Sequence, residues 1–258
     1  MRTLLSSLLY LIFCLGPVSA KETLIYSAAS DYAPMSWLEN NKLIGVGPEI
    51  AERIFSEMGI TVESQTYPWA RVLELTRQGR IDVIVSLYFN TEREQFLTYS
   101  DTHFSEVRTV LITRKGHEFP FNQWADLVGR TGGSVLDYSW GDEFDRYIEA
   151  HLDIENVYST TQNFMKLLHG RIEYMITTEN HARILSKQLE LTDKITILPV
   201  AVNTEKEYIA FSKSSPFIEY LPQFNAKLRE MIESGEVERL IEKYIDKASM
   251  DLPPHPNN

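Results

Sequence analysis

One short pattern occurs twice in this chain and constrains its fold more than any other feature. The run Leu75-Thr76-Arg77-Gln78-Gly79-Arg80-Ile81-Asp82-Val83-Ile84-Val85 is echoed by Lys166-Leu167-Leu168-His169-Gly170-Arg171-Ile172-Glu173-Tyr174-Met175-Ile176. In both, a helix-like stretch ends on glycine, and Arg-Ile-acid then leads into an apolar run. Glycine supplies the left-handed turn that stops a helix, and an unbroken apolar strand has to be covered on both faces. Two such units predict two similarly built α/β lobes, each a mainly parallel sheet flanked by helices.

The flanking segments fit that class. Residues 24–28 read as a strand and 48–58 as a helix, with Pro48 in its first turn, Ile50, Ile54, Phe55 and Met58 on one face, and Gly59 at its end. A strand at 60–66, a helix at 70–78 and a strand at 81–85 follow. Strands near 107–116 and within 195–211 are the expected crossings between lobes. The first lobe is then 21–112 with 206–258, and the second is 113–205. Helices at 217–233 and 236–247 return to the first lobe, and 252–256 is read as a frayed end.

The first twenty residues stand apart. Arg2 precedes an apolar stretch over 4–15, broken by Ser6 and Ser7, and Pro17 leads to Val18-Ser19-Ala20. This is the form of a secretory signal peptide cut after Ala20, which directs the mature chain to the periplasm. The stretch falls short of the roughly 20 apolar residues of a membrane span, and no later segment reaches that length. The mature chain is therefore expected to insert in no membrane. Cys14, preceded by the bulky Phe13, does not suit lipidation. It is also the only cysteine in the sequence, so the mature chain has no thiol for catalysis or metal binding. With 36 acidic against 25 basic residues and a net charge of -11, the chain lacks the basic balance that nucleic acid would need.

Three motifs carry a family likeness. Asp82-Val83-Ile84-Val85, Asn90-Thr91-Glu92-Arg93 and Tyr99-Ser100-Asp101 together resemble the bacterial extracellular solute-binding proteins of family 3, which read D-x-I-x, T-P-E-R and F-S-D-P-Y. Asp31-Tyr32-Ala33-Pro34 and Gly47-Pro48-Glu49-Ile50 extend the likeness over nearly all of the mature chain. It implies the type II periplasmic binding fold, with a ligand cleft between two α/β lobes. The function implied is capture of a small polar, carboxylate-bearing solute such as an amino acid, without a cofactor, by a monomer that serves an ABC-type permease.

Several residues are candidates for the cleft. Arg93 lies just beyond a buried strand, where a guanidinium holds a carboxylate through two parallel charge-assisted bonds. From the residues alone a solvated member of the polar run Thr91-Glu92-Arg93-Glu94 is the favoured reading, and the resemblance reverses that choice in favour of the clamp. The resemblance also places Tyr32 over the ligand and Trp69 facing the cleft, although an aromatic at either position also suits a core. Arg71 either adds a second positive group or covers surface. Ser86, Leu87 and Tyr88 end a strand where open α/β sheets place ligands, and Asn90 opens the loop to Arg93. In the second lobe Tyr138 and Ser139 precede an acidic helix starting near Asp142, whose N-terminus is either an anion site or simply capped. Asp142, Glu143 and Asp145 answer that helix dipole, and no metal site is expected.

The sequence departs from the family in places. Thr178 stands where amino-acid binders carry an aspartate for the ligand's ammonium. Glu179 follows it, either to take that role or to start the helix at 180–189. Asn90 replaces a threonine, Thr102-His103 replaces Pro-Tyr, and the loop from Asp82 to Arg93 is one residue short. Two alternatives stay open. One is a cyclohexadienyl-type dehydratase with Glu179 as its acid or base, and the other is a free-standing sensory module. The sequence contains no nucleophile elbow, no HExxH and no paired catalytic carboxylates, and its histidines are scattered.

Overall fold

The computed structural model describes residues 23–250. The expected leader with its cleavage site and the tail at 252–256 lie outside them. The described chain begins with β1 (Leu24–Ser27) and then a small antiparallel sheet of β2 (Asp31–Tyr32), β3 (Ser36–Glu39) and β4 (Lys42–Ile44) that the sequence pattern does not announce. It continues through α1 (Val46–Glu57), β5 (Val62–Ser64), α2 (Trp69–Arg77), β6 (Val83–Tyr88), β7 (Leu97–Tyr99) and β8 (Ser105–Arg114). Next come β9 (Thr131–Val135), α3 (Asp142–His151), β10 (Asp153–Val157), α4 (Thr160–Leu168), β11 (Tyr174–Thr178), α5 (Glu179–Gln188) and β12 (Ile195–Ile197). β13 (Asn203–Ser212), α6 (Leu221–Glu233) and α7 (Glu236–Met250) close the chain.

The sequence echo is a structural one. Gly79 and Gly170 both have positive φ, at 70° and 67°. Each is followed by the same helix-closing bond, Arg80 N to Leu75 O and Arg171 N to Lys166 O, both 2.9 Å. The next acid then ties its strand to a neighbour: Asp82 N donates to Ile25 O and Glu173 N to Thr131 O, both at 2.8 Å. The carboxylates return the contact, Asp82 Oδ2 accepting from Ile25 N at 2.7 Å and Glu173 Oε1 from Thr131 N at 3.4 Å.

The strands run in the order β10-β9-β11-β8-β13-β6-β1-β5, with β12 beside β8 and β7 beside β13. Outer pairs are parallel: β1 with β5 and β6, and β9 with β10 and β11. In the middle, β8 and β13 run antiparallel to every partner and to each other. Each lobe is thus parallel only in its outer strands, because the two long strands run counter to the sheets they join. Phe55, Phe211 and Phe224 pack at 5.2–6.0 Å between α1, β13 and α6. Phe164, Leu167, Ile172 and Met175 belong to a separate cluster in the second lobe. Tyr244 of α7 donates to Glu49 of α1 at 2.6 Å, which docks the C-terminal helix on the first lobe.

Candidate ligand-binding site

The strand β6 is buried throughout, and its C-terminal end delivers Ser86, Leu87 and Tyr88 to a cavity between the lobes. Ser86 takes a left-handed φ of 62° and donates to Met35 O at 3.3 Å. Gly47 makes room for it, since a Cβ there would lie 2.1 Å from Ser86 Oγ. The chain then turns at Asn90, whose Oδ1 accepts from Arg93 N at 3.1 Å and sets the short 3-10 turn that carries the arginine.

Arg93 is buried, 7% exposed, and points inward. Its Nη2 donates to Asp137 O at 2.8 Å, and its guanidinium stands 5.4 Å from the Trp69 ring centre. Trp69 Nε1 donates to the same carbonyl at 2.9 Å. Burial lowers the Arg93 pKa, as expected for a cation withdrawn from water. Among the described residues, no carboxylate lies within ion-pair distance of it.

About 360 Å³ of space free of protein atoms, part of it open to solvent, lies between the cavity walls. Tyr32, Trp69, Ser86, Tyr88, Arg93, Tyr138 and Ser139 line it together with Ala29, Leu87 and Trp140. The Tyr32 and Tyr88 hydroxyls are 3.2 Å apart on one wall, and Tyr138 OH donates to Asp31 Oδ1 at 2.9 Å on another. Asn90 stands at the rim, its Nδ2 donating to Ser139 Oγ at 3.4 Å across the gap. Thr91 N makes a second bond across the gap, to Asp142 at 3.1 Å.

The remaining candidates are engaged by the protein itself or lie away from the cavity. Ser139 lines the cavity, but its hydroxyl donates to Asp145, which also accepts from Trp140 N at 2.8 Å. Neither Asp137 nor Ser139 caps α3, whose first amides have no side-chain acceptor, and Ser139, engaged by Asp145, has no free proton for an anion. Thr178 is buried at the end of β11, and neither it nor Glu179 lines the cavity. Glu179 binds Arg108 at 2.6 Å and Arg183 at 2.7 Å beside a separate groove. Arg71 is exposed. Among the described residues, no group of three or more His, Cys, Asp or Glu side chains could hold a metal ion.

Sequence reading missed three groups next to this cavity. Glu207 is fully buried on β13 opposite Tyr88, and burial raises its pKa to about 8. Glu205 is raised to about 7 by partial burial and by Asp145 and Asp142. His181 packs its ring 6.0 Å from Tyr32, and burial lowers it to about 4, so it is neutral at pH 7. The charged strand sequence over 203–207 was the available signal. Which way it faces depends on the pairing of β13 with β6.

Residues 24–247 match the family model for bacterial extracellular solute-binding proteins, family 3. The chain belongs to this family. Among its relatives is the arginine-binding extracellular protein ArtP of Bacillus subtilis, 23% identical over 232 residues that cover 89% of this chain and 88% of that protein. The arginine-bound amino acid ABC transporter substrate-binding protein AbpA of Streptococcus pneumoniae superposes with a TM-score of 0.74 at 19% identity, covering 89% of this chain and 97% of that one. A histidine kinase sensor domain with similarity to periplasmic binding proteins gives a TM-score of 0.76 at 20% identity, over 86% of this chain and 95% of its own. These structural likenesses establish the two-lobed fold. As a family 3 member, the chain is a solute-binding protein.

Proposed function

We propose that the protein captures an amino acid or a related small carboxylate in the periplasm, between lobes formed by 21–112 with 206–258 and by 113–205, and passes it as a monomer to an ABC-type permease. The observation that carries this reading is Arg93, a buried guanidinium on the wall of a small cavity, with no carboxylate among the described residues in ion-pair contact with it. A buried cation without a counter-ion is costly, and a ligand carboxylate relieves that cost. Trp69 and Asp137 O hold the guanidinium in place before the ligand arrives. Binding rather than turnover is favoured by Glu179, the acid or base that a dehydratase reading requires, because two arginines engage it away from the cavity.

Thermal shift of the mature protein against the twenty L-amino acids, dicarboxylates and prephenate-like acids, with parallel product analysis, tests the proposal. At least one carboxylate should stabilise the fold by mass action and be recovered unchanged. Arg93→Ala should weaken that ligand by about 100-fold or more, since each charge-assisted bond is worth about 1.5–3 kcal/mol. Unaltered affinity in Arg93→Ala would remove the clamp from the site, and conversion of the ligand would make the protein an enzyme.

A further inference from the structure

Among the described residues, three Asp, Glu, Lys or Arg side chains are buried: Asp82, Arg93 and Glu207. Asp82 is a structural group, with Oδ2 accepting from Ile25 N and Oδ1 from Ser215 Oγ, both at 2.7 Å. Glu207 is different. It has no exposed surface, and neither carboxyl oxygen has a well-formed hydrogen bond, although the Tyr32 hydroxyl stands close enough to act on it. Buried polar groups are nearly always paired, so two oxygens without such a bond on one carboxyl call for an explanation.

The position of Glu207 suggests one. It registers opposite Tyr88 across the β13–β6 pair. Its carboxyl acts on the hydroxyls of both Tyr32 and Tyr88, the pair that forms one wall of the Arg93 cavity. The other carboxylates nearby are already engaged: Asp31 by Tyr138 OH and Thr160 N, Asp145 by Ser139 and Trp140 N, and Glu205 by Asn203. None of the residues lining the cavity is acidic. The site thus has a buried cation at Arg93 and a buried carboxyl, protonated while no cation is near, behind the tyrosine pair, and among the described residues neither forms an ion pair.

We propose that Glu207 is the cation-reading residue of this site, so that the ligand bears both a carboxylate for Arg93 and an amine or guanidine whose charge Glu207 answers at the Tyr32–Tyr88 hydroxyl pair. This rests on the reading of Arg93 given above and narrows the ligand class to zwitterionic or cationic amino acids. Strand β13 supplies the negative charge, a role that neither Thr178 nor Glu179 fills from the second lobe. Ligand entry draws the Glu207 carboxyl to its ionised form, and the proton it held leaves to solvent.

Calorimetric titration of the mature chain tests this with the twenty L-amino acids as probes. The 2-hydroxy acid of each hit, together with succinate and malate, serves as the control without an amine. Wild type should bind at least one amino acid and bind the amine-free acids at least about tenfold more weakly, a difference of about 1.4 kcal/mol. Glu207→Gln should lose about tenfold or more for the amino acid and bind the amine-free acids as wild type does. Glu207→Asp, which keeps the charge, should recover most of the loss. Equal affinity for amino acids in wild type and Glu207→Gln would overturn the proposal, and the Arg93 reading would stand if Arg93→Ala still lost binding. Amine-free acids bound by wild type as tightly as amino acids would also overturn it, and this comparison needs no variant to fold. Failure of every carboxylate to bind would overturn both readings.

Discussion

A guanidinium on the cavity wall and a carboxyl behind the cavity's tyrosine pair are both shut away from water. Arg93 was legible as a candidate because the motif around it was legible, and its burial agrees with an inward-facing role. Glu207 was not, because its partners Tyr32 and Tyr88 come from β2 and β6, far away in the chain. Its raised pKa has a consequence for stability. Burial holds the carboxyl protonated up to about pH 8 in the folded chain, whereas the unfolded chain gives up that proton near the ordinary glutamate value of about 4.3. The stability this contributes is complete below about pH 4.3 and is lost as pH rises through 8. The groups facing it are Tyr32 and Tyr88, with His181 on the far side of Tyr32 and Glu205 on its own strand. His181, lowered to about 4, works in the opposite sense up to the ordinary histidine value of about 6.5, so the ligand-free melting temperature should fall most clearly between pH 6.5 and 8, by up to about 3–5 °C per pH unit. Glu207→Gln should flatten that slope to the smaller share owed to Glu205, and an unchanged slope would contradict the assignment. Amino-acid affinity should rise over the same window in wild type and not in the variant.

The repeated helix–glycine–strand unit shows how one sequence pattern can meet two environments. Its backbone bonds are alike in both lobes, but its acids are not. Asp82 is buried and accepts from Ile25 N and Ser215 Oγ, whereas Glu173 is exposed and pairs with Arg130 at 2.8 Å. Removing a buried acceptor leaves its donors unsatisfied, at about 1–3 kcal/mol, while an exposed ion pair is worth about 0–1 kcal/mol. Asp82→Ala should thus lower unfolding free energy by about 2–3 kcal/mol in urea titration, and Glu173→Ala by under about 1 kcal/mol. Similar losses at the two positions would mean that the echo is energetically symmetric. Close packing in the second lobe's sheet gives a further expectation. A Cβ at Gly132 would lie 2.4 Å from the Tyr174 ring and 2.6 Å from Ile154 Cδ1. Gly132→Ala should therefore cost about 1–3 kcal/mol by overpacking, checked in the same titration.

At the scale of the whole molecule, a few polar bonds span the cavity mouth. Asn90 reaches Ser139, Thr91 reaches Asp142, and Arg93 reaches the Asp137 carbonyl. Each ligand contact that needs both lobes favours this closed arrangement over an open one. Asp142→Ala removes an exposed tie worth at most about 1 kcal/mol, so it should enlarge the ligand-free radius of gyration in small-angle scattering and weaken ligand binding by about fivefold. No change in either would show that the tie does not hold the lobes together. The sequence by itself determined the α/β class, the paired units, the glycine stops and the buried strands, because these follow from local periodicity and from backbone conformations open to few residues. It also carried the family motifs that singled out Arg93. The tertiary structure decided the antiparallel middle of the sheet, the small sheet of β2 to β4, the outward placement of Glu179 and the burial of Glu207. Those depend on which distant segments meet and in what register, and a shift of one residue along β13 would turn Glu207 to the opposite face.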